Sequence, residues 1–471
     1  MKKMRKAVSI LLAGCLVLGL SACGGTKNAA QDAVSQTAAG QKEDGGTAEP
    51  AADSKTADAG EKVEISFSMA AYSNEVDGWT AMIDEANRQL EAEGKNIAIK
   101  INKVPCTGWP EYYQKVITQM AGGSAPDIGR IAESYMPMLI NKGQVVDLTD
   151  YMANDFDMSQ YYEKTFENSA FADGRYYGLP SGLNYYLVYY NKDMFDAAGL
   201  EYPSADWNKA SSFEEYKNMA KALTGGEGAT KTYGFSAGPY MAAVGMFNKS
   251  LGGNNVFDDN GAPTMNDSVS KEVYAWFDEM LRVDYSMPRP TDTKVMGAFD
   301  MFKAGRLGMI LDGTWWLGAI KDIKDFNVGI AAIPSGTGGE AFTSQFVDSF
   351  VIFKGSKHEA EAWEAVKAIM STPAFQALAK TGVGGVPVAK DVANSVIDES
   401  LGSAVDENGK KCAEEGMNHT IKVPYNSYYQ EADQKVNNVM DEWLLGKISS
   451  DQFAENVQQI LVDYAAKDAS Q

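Results

Sequence analysis

Between residues 63 and 128 the apolar pattern keeps switching period, and that switching constrains the fold more than any other feature. Val63, Ile65, Phe67 and Met69 alternate with polar or small residues, the period of two that a half-buried strand requires. Trp79, Met82, Ile83, Ala86 and Leu90 follow at helical spacing within 78–93, and Ile97, Ile99 and Ile101 alternate again. Pro110 opens a helix where its missing N–H is not needed, and Tyr113, Val116, Ile117 and Met120 fall at i, i+3, i+4 and i+7. Gly122-Gly123 stop that helix, and Pro126-Asp127-Ile128 begin another strand. Strand–helix–strand–helix–strand in so short a span predicts an α/β fold with a mainly parallel sheet, since a crossover helix is the usual way to join parallel strands.

The rest of the chain keeps this rhythm with more helix. Strands are expected over 187–190, 307–311 and 347–353, and helices over 212–223, 269–283 and 360–370. Two amphipathic helices are expected around Gly446 within 431–461. Asp-Asn-Gly at 259–261 and Glu-Asn-Gly at 407–409 read as turns. No repeat of solenoid or propeller period is visible.

The first sixty residues are of another kind. Lys2, Lys3, Arg5 and Lys6 precede a short apolar run, 7–20, which reads as a secretion signal (1–22) rather than a permanent membrane span. The run ends in Leu20-Ser21-Ala22-Cys23-Gly24, which resembles a bacterial lipobox and predicts that Cys23 is lipidated and becomes the new N-terminus. From Gly24 to Gly60 ten residues are Ala, six are Gly and none is aromatic, so this stretch cannot bury enough surface to offset its ordering entropy. With Cys23 it reads as a disordered tether, 23–60, with a reach of roughly 30–35 Å.

Charge narrows the partners. The net charge is −21, and removing the basic signal makes the chain more acidic still, so nucleic acid is not expected as a partner. Four cysteines in 471 residues exclude a disulfide scaffold, and Cys106 and Cys412 are expected as buried free thiols. Two histidines leave little room for histidine-rich metal sites; no metal or cofactor is expected.

Five segments in order resemble the sugar-binding family of ABC-importer extracellular solute-binding proteins, the family that includes maltose-binding protein. They are Trp109-Pro110-Glu111-Tyr112-Tyr113 running to Met120–Ile128, Gly143–Thr149, Tyr177-Gly178-Leu179-Pro180 followed by Tyr189–Phe195, Phe302–Met309 leading to Asp312-Gly313-Thr314-Trp315-Trp316, and Gly382–Val388. The resemblance implies a two-lobed periplasmic-binding-protein-like fold of type II with the ligand cleft between lobes. One lobe would be 61–183 plus 350–395 and the other 185–345 plus 396–471, with hinges near 183–186, 348–353 and 387–390. It also implies a carbohydrate ligand, ABC permease subunits as partners, a monomer, and attachment to the extracytoplasmic face of the cell membrane through the lipid on Cys23.

A pyranose presents hydroxyls at its rim and apolar C–H patches on its faces, so its site needs flat rings and carboxylates or amides. Trp315-Trp316 follow a strand and an Asp-Gly turn, which puts them at a strand's C-terminal end, where open α/β sheets bind ligands. Adjacent positions cannot both face the cleft. The resemblance favours Trp315 as the stacking ring, with Asp312 either a contact or a helix cap. It further implies contacts by Asn184, with Tyr185 and Tyr186 as alternatives, by Arg130 and Glu133 after the Pro-Asp strand, by Tyr240 after Gly238-Pro239, and by Tyr428 and Tyr429 after Pro424. Tyr72 and Ser73 would sit at the cleft edge. The competing reading of Arg130 and Glu133 is a solvated surface pair, and Asp127 reads as a structural strand–turn residue.

Enzyme readings are weaker. Gly234-Phe235-Ser236-Ala237-Gly238 matches G-x-S-x-G, but Pro239 follows at once and only His358 and His419 exist to serve as a base. A secreted glycosidase would need a localised pair of carboxylates, and the sequence localises none. A non-sugar ligand (peptide, amine or ferric ion) is the other alternative for this fold, and the Trp-Trp pair favours carbohydrate.

Overall fold

The computed structural model describes residues 62–71, 75–382 and 385–469. The signal, Cys23, the tether, Tyr72 and Ser73 lie outside the described residues. Two sheets organise the chain. The first has the strand order Ile97–Pro105, Val63–Ala71, Ile128–Ile131, Ser349–Ile352, Leu179–Pro180. Its first three strands are parallel, with Phe67 opposite Ile101 and Ile128, and Ser349–Ile352 runs antiparallel to Ile128–Ile131. The helix Glu75–Ala92 buries Trp79, Met82, Ile83, Ala86 and Leu90, the residues its periodicity singles out. Phe350 anchors this core, its ring 6.0 Å from both Phe67 and Trp79. Each such fully buried ring contributes up to about 3 kcal/mol.

The second sheet has the order Thr420–Lys422, Thr343–Phe346, Asn184–Asn191, Leu307–Gly313, Tyr233–Ser236, and Val328–Ala331 also pairs with Asn184–Asn191. Asn184–Asn191 is the central strand, buried along nearly its whole length, which is why its sequence reads as a continuous apolar run. Helices Phe213–Leu223, Met241–Ser250, Ser268–Asp278, Tyr429–Leu444 and Ser450–Asp468 cover this sheet with a separate apolar core. The helix expected over 269–283 ends earlier, at Asp278, and the chain continues through a wider π turn, Glu279–Val283. The two sheets with their separate cores make the mixed α/β, two-lobed fold.

The chain passes between the sheets in three places. It crosses after Leu179–Pro180 and again at Val347-Asp348. The strand expected over 347–353 forms over Ser349–Ile352 in the first sheet, while Thr343–Phe346, just before it, belongs to the second. Near 386, Leu183 pairs antiparallel with Val386. The helix Lys390–Leu401 then packs Val392 and Val396 into the first core and Ala393, Ile397 and Leu401 into the second. Cys106 and Cys412 are both unpaired; Cys412 is buried, whereas Cys106 is only half-buried. Among the described residues no helix is long and apolar enough to cross a membrane.

Candidate functional site

The second sheet brings several chain ends to one edge. Tyr233–Ser236 and Leu307–Gly313 run parallel, so their C-terminal ends lie together. Asn184–Asn191 is antiparallel to Leu307–Gly313, with Tyr186 opposite Gly313 and Leu187 opposite Asp312, so its beginning meets the same edge. A cavity of about 240 Å³ opens there, lined by Tyr186, Ser236, Gly238, Tyr240, Asp312 and Trp315 among others. A larger hollow of about 510 Å³ lies elsewhere, bordered by Asp193, Lys321, Lys324, Asp325 and Asn327. Its charged lining offers one ring, Phe326, whereas the smaller cavity combines rings with a carboxylate.

Local chemistry sets the rings. Gly313 carries no side chain, and the indole of Trp315 folds back over it; a Cβ there would lie 2.3 Å from the ring. Gly238 does the same for Tyr240, at 2.1 Å. Tyr186, Trp315 and Phe346 meet edge to face, with centroids 5.1–5.9 Å apart. Trp315 Nε1 donates to Asp312 Oδ1 at 3.0 Å, and the Gly313 N–H donates to the same oxygen at 2.8 Å. Burial outweighs these bonds and pushes the Asp312 carboxyl up to about 6. Trp316 stacks on Phe299, with centroids 3.8 Å apart, and its side chain also bonds to Asp312. Thr314–Trp316 is a 3₁₀ turn that leads into the short helix Leu317–Ile320.

Tyr186, Tyr240, Asp312 and Trp315 therefore share one cavity. Tyr429 stands beside it: burial first, then the charges of Asp433 and the nearby Tyr186 phenol, hold its hydroxyl far above the usual value. Tyr425 packs edge-on to Tyr429 at 4.7 Å.

Other expected contacts go elsewhere. Tyr185 is corrected to a core residue, because its ring is wholly buried and its hydroxyl donates to the Ala413 carbonyl. Asn184 lies at the crossing, accepting from Thr314 Oγ1 at 2.9 Å and lying so close to Gly385 that a Cβ on that glycine would meet its Oδ1 at 1.8 Å. Arg130 and Glu133 are not a solvated pair. Arg130 Nη2 donates to Asp348 Oδ2 at 2.6 Å, and its guanidinium lies 4.4 Å over the Trp79 ring. Glu133 is buried, accepts from Val347 N at 2.7 Å and is pushed up to about 8 by burial. Tyr428 lines a different hollow, stacked near Tyr464. Asp127 is structural, accepting from Ser66 and Ser356.

Two residues that sequence reasoning missed bear on the site. Phe346 completes the ring cluster. Asp433 lies one helical turn beyond Tyr429, and its carboxylate, after burial, Asp312 and Tyr240, raises the Tyr186 phenol. Burial also pushes Asp433 itself up to about 6, against the bond from Asn437 Nδ2 at 2.9 Å. The available signal was the i, i+4 spacing to Tyr429. The G-x-S-x-G match ends at this cavity, but neither histidine lines it: His419 stacks on Trp207 and pairs with Glu340, and His358 precedes a helix. Rings for C–H faces and carboxylates for hydroxyls equip the cavity to hold a polyhydroxyl molecule.

Comparison with known proteins agrees with this geometry. A family model described as bacterial extracellular solute-binding protein matches residues 72–374. A binding protein of Brucella abortus is 26% identical over 72% of this chain and 78% of its own length. A maltooligosaccharide ABC transporter solute-binding lipoprotein of Streptococcus pneumoniae is 24% identical, covering 64% of each chain. Among solved structures, an ABC substrate-binding protein from Listeria monocytogenes in complex with cycloalternan superposes with a TM-score of 0.74 at 21% identity, covering 86% of this chain and 99% of that one.

Proposed function

This chain belongs to the family of bacterial extracellular solute-binding proteins, and on that premise we propose that it captures a mono- or oligosaccharide for an ABC importer. It takes the sugar between its lobes, alters no bond and passes it to the membrane permease. The observation that carries this is the cavity where Tyr186, Tyr240 and Trp315 meet Asp312. The rings stack on the sugar's apolar face and the carboxylate accepts from its rim hydroxyls.

The anchor belongs to the same proposal. Cys23, acylated after removal of 1–22, holds a monomeric binding protein to the outer face of the membrane on the 23–60 tether; the pneumococcal relative's name, a lipoprotein, supports this. The lobes in this proposal are 61–183 plus 350–395 and 185–345 plus 396–471.

Isothermal titration against a glycan panel tests the function. Binding in the micromolar range or tighter, about −8 kcal/mol, is expected for some sugar, which mass spectrometry recovers intact. Trp315→Ala should weaken that binding by about 1.5 kcal/mol or more, the scale of an aromatic stacking contact. Steady release of hydrolysis products would make the protein a glycosidase instead.

A further inference from the structure

The chain crosses between its sheets in three places, and all three meet one turn. Thr314–Trp316 and the short helix Leu317–Ile320 follow the strand Leu307–Gly313, and this segment carries Trp315 into the cavity. At the first crossing, Thr314 Oγ1 donates to Asn184 Oδ1 at 2.9 Å and accepts from the Tyr185 N–H at 3.4 Å. At the second, Phe346 pairs with Asn184 across the sheet, and its ring centroid lies 5.9 Å from that of Trp315. At the third, backbone meets backbone: a Cβ on Gly318 would lie 2.0 Å from the Gly382 carbonyl oxygen, and Gly385 closes on Asn184. Gly382 ends the turn after the helix Thr372–Ala379, whose Ala374, Phe375 and Leu378 belong to the first core, whereas Leu317 and Ile320 belong to the second.

Thr314 is 1% exposed and Asn184 8%, so the bonds between them are buried. Buried polar side chains are costly without partners, and once paired they fix a geometry more firmly than an apolar contact does. Among the described residues that line the cavity, Trp315 is present but Thr314, Asn184 and Gly318 are not. The turn thus has one ring in the cavity and both of its ends on the crossings. Rotation between the lobes moves Gly382 against Gly318 and turns the backbone beside Asn184 and Phe346, so the lobe angle and the position of the Trp315 indole are mechanically linked.

We propose that the segment from Thr314 to Ile320 couples sugar capture to lobe closure, and that Thr314 and Asn184 are positioning residues that act through Trp315 rather than contacts of the sugar. A sugar stacked on Trp315 fixes the indole. Thr314 and Gly318 transmit that position to the crossings, and the closed arrangement gains. A ligand shifts such an equilibrium only by its differential affinity for the two arrangements, and this link supplies the difference. Reciprocity then requires that a change at the crossings alter sugar affinity. This inference rests on the saccharide reading given under Proposed function.

Pulsed electron paramagnetic resonance on the full chain, with spin labels carried by an unnatural amino acid at one exposed position of each lobe, reads closure, and titration calorimetry reads binding. The probes are the mono- and trisaccharides of glucose, galactose, mannose, xylose and arabinose. In the wild type, a probe that binds should draw the labels together. Thr314→Val keeps the shape and removes both bonds, and should lower the closed-to-open ratio at saturating sugar about tenfold, the scale of a buried polar group left without its partner. Thr314→Ser should close as the wild type does. A merely structural Thr314 would lower the melting temperature and leave that ratio unchanged, which overturns the proposal, as does a serine variant that closes no better than the valine one. Where Thr314→Val does not fold, Gly318→Ala tests the other end of the turn: alanine suits the short helix but meets the Gly382 carbonyl, and the same fall is expected. A wild type that binds sugar without closing overturns the coupling and leaves the saccharide reading intact, and binding by none of the probes overturns both.

Discussion

At the scale of single residues, Asp312 is the side chain whose chemistry is most exposed to experiment. Burial, which disfavours the charged form, raises its carboxyl in the folded chain to about 6 from the ordinary aspartate value near 3.8. The sign follows. Below pH 4 the group is protonated both folded and unfolded, and it contributes no penalty. As pH rises from about 4 to about 6 the unfolded chain releases the proton first, so the native state loses stability, and the loss is complete above 6. Asp312→Asn keeps an oxygen for Trp315 Nε1 and removes the ionisation. Relative to wild type, the variant should therefore gain about 2 kcal/mol between pH 4 and pH 8, after allowance for its partial exposure. Urea unfolding at both pH values measures this, and an unchanged difference would mean that the carboxylate shares a cation. Asp312 and Trp315 were legible because they stand at the C-terminal end of an apolar run, where strand ends converge, whereas Tyr240 was reached only through the family resemblance. Tyr185 and Tyr186 could not be told apart: neighbours in a strand face opposite sides, and only the partners of the strand show which side is core. Asp433 was hidden among the acids of an amphipathic helix, marked only by its i, i+4 spacing to Tyr429.

At the scale of elements, two short turns hold the rings, and both depend on a missing side chain. The segment after Tyr233–Ser236 brings Gly238 under the ring of Tyr240, and a Cβ at Gly238 would lie 2.1 Å from that ring. Gly238 is not among the residues with positive φ, so alanine fits the backbone. Tyr240 is 52% exposed, so its ring can swing out at small cost to the core. Gly238→Ala should thus weaken sugar binding about tenfold, the loss of one stacked ring, while the melting temperature stays nearly unchanged. A lowered melting temperature with intact affinity would return this glycine to a folding role. The elements themselves were largely legible, since alternation and helical spacing need no knowledge of partners. The 347–353 run was legible as a strand, which forms over Ser349–Ile352, but not as a crossing: Val347 enters the second core and Phe350 and Ile352 the first, and a hydrophobic period reports burial without saying in which core.

At the scale of the whole molecule, the crossing at Asp348 decides where the two halves can move. Asp348 Oδ2 meets Arg130 Nη2 at 2.6 Å, and its backbone oxygen accepts from both Ser181 N and Ser181 Oγ at 2.8–2.9 Å. Val347 N donates to the buried Glu133. Arg130 is in turn held over the rings of Trp79 and Trp109. These bonds fasten the crossing to the first sheet, so any rotation between the halves is expected on its far side, between Phe346 and Val347, and at the other two crossings, near Leu183 and near 386. Lobe closure by rotation at such short segments is the usual hinge motion. The fastening has a cost that can be measured. Asp348→Ala removes the carboxylate that the largely buried Arg130 guanidinium meets, and breaking such a pair from one side typically costs about 3–5 kcal/mol. Denaturant unfolding should register that loss, and amide exchange should accelerate in Ile128–Ile131 and Ser349–Ile352 before it does in Leu307–Gly313. The cavity of the second sheet lies outside these bonds, so at low denaturant the variant should still bind sugar with its Trp315 stacking intact. Equal acceleration in both sheets would mean that Asp348 fastens the halves to each other rather than to the first alone, and the pivot would then have to lie within the crossing itself.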